Sequence, residues 1–255
     1  MSLLQVKNLR VSIGPVQVCE DLTLHLKPGE VWSVLGRNGV GKTTLLHTLA
    51  GLRRPAAGTL LVDGTALTEM SARHRAKHIS ILFQHSQAAS AATAGEIVMN
   101  GRHPWISRWH GPTAKDQAIA ANALMQVGLA GYEGRSFTRL SGGERRRVEL
   151  ASILAQQTQL VLLDEPVNHL DLRYQVRLLK ETLDGWRQAG RAVVLVMHDL
   201  NLAIRFSDQL LCLLGGGKFL HGPVDTVATE ENFASVFQHP LCEASAGGYK
   251  IFVPQ

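Results

Sequence analysis

Residues Gly36-Arg37-Asn38-Gly39-Val40-Gly41-Lys42-Thr43 carry the spacing G-x-x-x-x-G-K-[ST] and sit where one hydrophobic pattern changes into another. The run Val31-Trp32-Ser33-Val34-Leu35 before them is apolar and partly β-branched. The stretch Thr44-Leu45-Leu46-His47-Thr48-Leu49-Ala50 after them places apolar residues at helical intervals. A glycine-rich turn between strand and helix is the context in which this motif binds phosphate. The glycines let successive backbone N–H groups converge at the positive end of the helix, Lys42 reaches the β- and γ-phosphates, and the Thr43 hydroxyl is available to Mg²⁺. The chain is therefore predicted to bind a nucleoside triphosphate. It must also build an α/β domain, because the motif works only at the end of a strand.

Composition sets outer bounds. A chain of 255 residues accommodates one large α/β domain. Hydrophobic content of 45% is ordinary, and no apolar run approaches the roughly 20 residues of a membrane span. The amino terminus lacks the layout of a secretory signal, which makes the cytoplasm the default expectation. Cys19, Cys212 and Cys242 are widely spaced and form no CxxC pair, so they read as reduced packing residues. The net charge of +5 is spread along the chain rather than gathered into a tract, which argues against nucleic acid. Eleven histidines show no metal-ligand spacing.

The periodicity predicts strands at 3–13 and 22–26, at 59–62 before the turn signal Asp63-Gly64, and at 78–83, the last delivering Gln84 at its end. Helical patterns cover Ala114 to Val127 and Glu144 to Gln156, joined to the preceding strand through a Gly/Pro/Trp-rich connection at 101–112. A β/α rhythm then resumes with strands at 160–163, 192–197 and 209–214. A short helical pattern near Glu230 to Phe237 closes the chain, and residues beyond about 223 carry no assignable chemistry.

The strand Leu160–Leu163 ends in Asp164-Glu165. Beside a phosphate loop, Asp164 suits Mg²⁺ and Glu165 suits polarisation of the water that attacks the γ-phosphate. By itself the pair also reads as a strand cap and turn before Pro166. Likewise Ser141-Gly142-Gly143-Glu144 reads alone as a helix start, with Ser141 as cap and Glu144 completing a capping box.

Taken together and in order, these motifs resemble those of the ATP-binding-cassette (ABC) ATPases. The resemblance rests on the phosphate loop at 36–43, Gln84, the signature Leu140-Ser141-Gly142-Gly143-Glu144, Asp164-Glu165, Asn168-His169-Leu170-Asp171, and His198 after a strand. It implies a P-loop NTPase core with an amino-terminal antiparallel β subdomain and an inserted helical subdomain. The core would comprise residues 1–84 and 156–255, and the helical signature subdomain residues 85–155. The nucleotide contacts it implies are Gly36 to Thr43 with Thr44, and, from a second copy of the chain packed head to tail, Ser141, Gly142 and Gly143. Asp171 would lie in the loop that crosses that interface. Glu165, His198 and Gln84 take the catalytic positions, with Thr43, Gln84 and Asp164 toward Mg²⁺.

Three positions depart from the family pattern. Ile13 stands where an aromatic residue usually stacks on adenine, Val167 replaces a common threonine, and Arg146 replaces a common glutamine. Thr93 to Pro104 and His198 to Ala203 resemble importers of iron–siderophore, haem and vitamin B12. That likeness implies polytopic permease partners, a coupling segment received at 85–110, a solute-binding protein acting indirectly, and a place on the cytoplasmic face of the inner membrane. An exporter subunit or a soluble assembly ATPase is the alternative reading.

Overall fold

The computed structural model describes residues 2–84, 92–107, 109–168 and 170–255. Its centre is a six-stranded sheet containing β3 (Val31–Gly36), β6 (Ile79–Leu82), β7 (Leu160–Asp164), β8 (Ala192–Val196), β9 (Gln209–Gly215) and β10 (Lys218–Pro223). The strand order is β10-β9-β3-β8-β7-β6, with parallel pairing from β9 to β6 and only β10 antiparallel. Strands β3, β7 and β8 are buried along their whole length, the pattern of a parallel sheet covered on both faces. Successive residues alternate between two cores: Val161, Leu163, Val193 and Leu195 face one, while Leu160, Leu162, Val194 and Val196 face the other.

The second core is closed by an antiparallel sheet of β1 (Leu4–Ile13), β2 (Val16–Leu26), β4 (Ala57–Val62) and β5 (Thr65–Ala66), in the order β2-β1-β4-β5, together with α1 (Lys42–Leu49). The β4–β5 hairpin turns through Asp63 and Gly64, both at positive φ, as the sequence signal required. A short helix α2 (Ala72–His78), with no buried residue, leads into β6.

The first core is closed by α3 (Ala94–Asn100), α4 (Ala114–Gln126), α5 (Gly142–Gln156), α6 (Leu172–Gln188) and α7 (Leu200–Phe206). Helices α3, α4 and α5 begin with the same device: Thr93, Thr113 and Ser141 cap the N3 amide while Glu96, Asp116 and Glu144 reach back to the cap amide. After β10 come α8 (Val224–Val227), α9 (Glu230–Phe237) and a hairpin of β11 (Leu241–Ala246) with β12 (Tyr249–Pro254). Asn201 of α7 fixes that hairpin by bonding both the N–H and the C=O of Phe252, whose ring meets Phe233 edge-on at 4.7 Å.

Candidate ATP-hydrolysis site

Because β3, β8, β7 and β6 are parallel neighbours, their carboxyl ends lie side by side, the usual place for a ligand in an open α/β sheet. Four sequence-distant groups meet there: the loop after β3, His198 after β8, Asp164-Glu165 at the end of β7, and Gln84 after β6. A cleft of about 400 Å³ is lined by Asn38, Gly39, Gly41, Lys42, Thr43, Thr44, Gln84, Glu165 and His198. Ile13 lines it too, half exposed, and presents an aliphatic surface where the family pattern has an aromatic ring.

The loop needs its glycines. Gly36, Gly39 and Gly41 have φ of 149°, 76° and 107°, a region costly to side chains. A Cβ on Gly41 would lie 2.4 Å from Val18 Cγ2, and one on Gly36 2.8 Å from the carbonyl oxygen of Leu213. Gly41 caps α1 without a side-chain bond, and no acidic residue occupies the first turn. The first amides of α1 are thus left to a ligand of negative charge. Lys42 folds over the loop, donating to the carbonyls of Gly36 at 2.7 Å and Arg37 at 3.1 Å. Burial lowers its pKa, opposed by the charges of Glu165 and Asp164. Val40 packs against the second core. The Arg37 side chain turns away from the cleft to bond Gln238.

Asp164 is fully buried, and neither carboxylate oxygen accepts a well-formed hydrogen bond among the described residues. Burial raises its pKa, with the Glu165 charge adding to the effect; the nearby Thr43 hydroxyl, His47 and Arg146 oppose it. A buried carboxylate with both oxygens unsatisfied is costly unless a cation or donor completes it. With the Thr43 hydroxyl beside it, this donor set suits Mg²⁺, which takes few protein oxygens and fills its remaining positions with water and phosphate.

Glu165 is nearly buried and is held by three side chains. Gln84 Nε2 donates to Oε2 at 2.9 Å, Asn168 Nδ2 donates to the same oxygen, and His198 Nε2 bonds Oε1. Its backbone is left-handed, with φ of 50°, which costs a non-glycine residue about 1 kcal/mol and reorients the carbonyl. Asn168 was not foreseen as a participant; its signal in the sequence is its place three residues beyond Glu165 in a turn. Arg146, foreseen only as a departure from the pattern, is buried and donates to the backbone of this segment.

The remaining sequence candidates lie elsewhere. Ser141, Gly142 and Gly143 start α5, are not fully buried, and do not line the cleft of their own chain. Asp171 caps α6 by accepting from the Tyr174 amide at 3.0 Å, beside Leu172, which is 68% exposed. His169, residues 85–91 and Arg108 lie outside the described residues, so the expected coupling segment at 85–110 is described only in part. Cys19 and Cys212 are buried packing residues, with pKa values pushed by burial to about 11 and about 12.

A strand-ordered sheet bearing a phosphate loop, a buried aspartate and a clamped glutamate defines a nucleotide-hydrolysing P-loop domain. Residues 19–168 match the family model described as ABC transporter, and the chain belongs to that family as one of its ATP-hydrolysing members. It is 40% identical over 240 residues to the Hemin import ATP-binding protein HmuV of Pseudomonas aeruginosa, covering 92% of each chain. It is 37% identical over 239 residues to the Iron(3+)-hydroxamate import ATP-binding protein FhuC of Bacillus subtilis, covering 93% of this chain and 88% of that one. Among solved structures, a putative metal-chelate type ABC transporter in an inward-facing conformation matches with a TM-score of 0.88 at 29% identity, covering 100% and 98%.

Proposed function

We propose that this chain is the ATPase subunit of an importer of bulky metal chelates, of the class of ferric siderophores, haem or cobalamin. The observation that carries the reading is the similarity to import ATPases over nine-tenths of the chain, joined to a cleft in which Glu165 is clamped by Gln84, Asn168 and His198. Similarity spanning nine-tenths of the chain favours the importer over an exporter or a soluble assembly machine.

In this reading the residues divide the work. The amides of the loop and Lys42 hold the phosphates; Thr43, Asp164 and Gln84 are the candidates to hold Mg²⁺. The ion, when bound, offsets negative charge developing on the phosphates. Glu165 orients and polarises the attacking water, and His198 and Gln84 hold its carboxylate in place. Ser141, Gly142 and Gly143 serve the nucleotide of a second copy. Open space where a Cβ on Gly142 would fall gives no reason within its own chain for a glycine there, whereas close approach by a partner does. Exposed Leu172 beside Asp171 belongs to the same head-to-tail interface. Residues 85–155 form the helical signature subdomain that moves against the core (1–84 and 156–255).

No helix among the described residues is long and apolar enough to cross a membrane; in this reading the chain acts from the cytoplasmic face through polytopic permease subunits. Trp109, 91% exposed, and Trp105, 40% exposed, mark the surface offered to them. A solute-binding protein acts only through the permease. Co-purification tests the assignment: tagged chain should bring down a polytopic membrane protein encoded with it, and its deletion should abolish uptake of one metal chelate. A stable complex with soluble scaffold proteins and unimpaired uptake would sink it.

A further inference from the structure

Arg146 lies one turn into α5, past the signature glycines, and is only 7% exposed. A guanidinium has five N–H donors in a rigid fork, and here each has an acceptor. Nε donates to the carbonyl of Pro166 at 3.2 Å. Nη1 donates to the carbonyl of Phe83 at 2.7 Å and to Glu149 Oε2 at 2.9 Å. Nη2 donates to the carbonyls of Asp164 at 2.6 Å and Glu165 at 2.8 Å. The pairing with Glu149, one turn further along the same helix, supplies the counter-charge that such burial requires.

The four carbonyl acceptors belong to one structure, the two strand ends that carry the site. Phe83 precedes Gln84 after β6, while Asp164, Glu165 and Pro166 are consecutive at the end of β7. The Glu165 carbonyl gripped by Nη2 belongs to the residue whose φ of 50° is the costly one, and such a backbone persists only where its surroundings hold it.

We infer that Arg146 is a positioning residue for hydrolysis, a bracket that fixes the backbones of Glu165 and Phe83 and thereby aims the Glu165 carboxylate and the Gln84 amide at the reacting centre. It is buried, does not line the cleft, and acts through Glu165. Because it rides on the signature helix, it makes the aim of Glu165 depend on how that helix is seated. The glutamine common at this position in the family has two amide donors, so it can grip two of these acceptors rather than five. A lysine keeps the charge but is a point donor that cannot span the two strand ends. The inference rests on the reading of Glu165 as the group that orients water.

The test compares steady-state ATP hydrolysis by the purified full chain with variants Arg146→Ala, Arg146→Gln and Arg146→Lys, with Glu165→Gln as reference, alongside ATP affinity and melting temperature. Loss of aim by about an ångström costs up to about a hundredfold in rate. Arg146→Ala should lower kcat by about ten- to a hundredfold, with KM and ATP affinity within about twofold of the parent. Arg146→Gln should recover at least about threefold over Arg146→Ala, and Arg146→Lys should not, because the bracket needs directed donors rather than charge. Should Arg146→Ala fold poorly, the order of Gln above Lys in kcat decides the matter. A kcat within about twofold of the parent, equal rescue by Lys, or losses of ATP affinity and melting temperature that match the loss of rate would overturn the inference. Glu165→Gln separates the two readings: if it is inactive while the Arg146 variants run at the parent rate, only Arg146 is misassigned. If Glu165→Gln itself hydrolyses normally, the reading of Glu165 fails and this inference with it.

Discussion

At the scale of single residues, the site holds its groups in energetically unfavourable surroundings. Asp164 carries the clearest case: complete burial, two oxygens without a well-formed partner, and a pKa raised by desolvation. A neutral amide of the same shape loses far less on leaving water than a carboxylate does. Asp164→Asn is therefore expected to stabilise the nucleotide-free chain by about 1–2 kcal/mol, seen as a higher melting temperature, while hydrolysis in the presence of Mg²⁺ falls by at least about a hundredfold. An unchanged or lower melting temperature would show that Lys42 and Arg146 already offset the buried charge. Lys42 gives the complementary result: Lys42→Ala should weaken ATP binding itself, measured by fluorescence titration of a nucleotide analogue, by about tenfold or more. The phosphate loop and the Asp164-Glu165 pair are legible because each follows an apolar strand and polar residues there stand out, whereas Gln84 and His198 take their roles from the resemblance to the ABC ATPases. Arg146 and Asn168 stand in the sequence only as a departure from the family pattern and as the first residue of the 168–171 motif, with no role attached to either. What recommends them is a set of backbone carbonyls and a turn geometry, and neither leaves a periodic trace.

At the scale of elements, the three capping boxes show how local chemistry fixes the helices that follow β6. The box at Thr113 does a second task, because Asp116 also accepts from Arg102 Nε at 3.0 Å, and Arg102 Nη1 in turn donates to the carbonyl of Ala155. The Thr113 hydroxyl above all, then the Thr113 amide and Arg102, hold the Asp116 carboxyl down to about 2. An aspartate depressed in the fold stabilises it at pH above its unfolded value, near 4, and that contribution disappears as pH falls toward about 2. Asp116→Asn strands the buried Arg102 and should cost about 3 kcal/mol at pH 7. The difference in melting temperature from the parent should hold down to about pH 4 and shrink below it. A difference independent of pH would remove the ionised pair from the explanation. The same boxes measure how far the sequence could be read. The box at Ser141 is explicit, and that at Thr93 offers the same signal for α3, which periodicity over only seven residues did not supply. Helix α2 buries nothing and has no apolar stripe to read. Strand β10 ends in Gly222-Pro223, a turn signal that an edge strand tolerates because its outer N–H groups need no partner. The β11–β12 hairpin is mostly exposed, so no clean alternation marks it, and its anchor is the distant Asn201.

At the scale of the whole molecule, the proposed function makes the cleft one half of a site. Loop, Glu165 and His198 line it, while the exposed signature turn of the same chain stands outside it. In the proposed head-to-tail pair each signature would reach the other chain's phosphates, and a two-fold axis would make both sites equivalent. The dimer should therefore depend on nucleotide and should accumulate when hydrolysis is blocked. With Glu165→Gln, ATP and Mg²⁺ are expected to shift the chain from monomer to dimer in light scattering, because the closing ligand is no longer consumed. Adding Gly142→Asp places a side chain and a negative charge where the partner's phosphates approach, in space that is empty within the chain. The double variant should stay monomeric with ATP while binding the nucleotide within about twofold of the Glu165→Gln parent, since its own loop is untouched. Loss of ATP binding with the dimer would make Gly142 part of its own chain's site. Persistence of the dimer would place the signature outside the interface, and the division of each site between two copies would then be wrong.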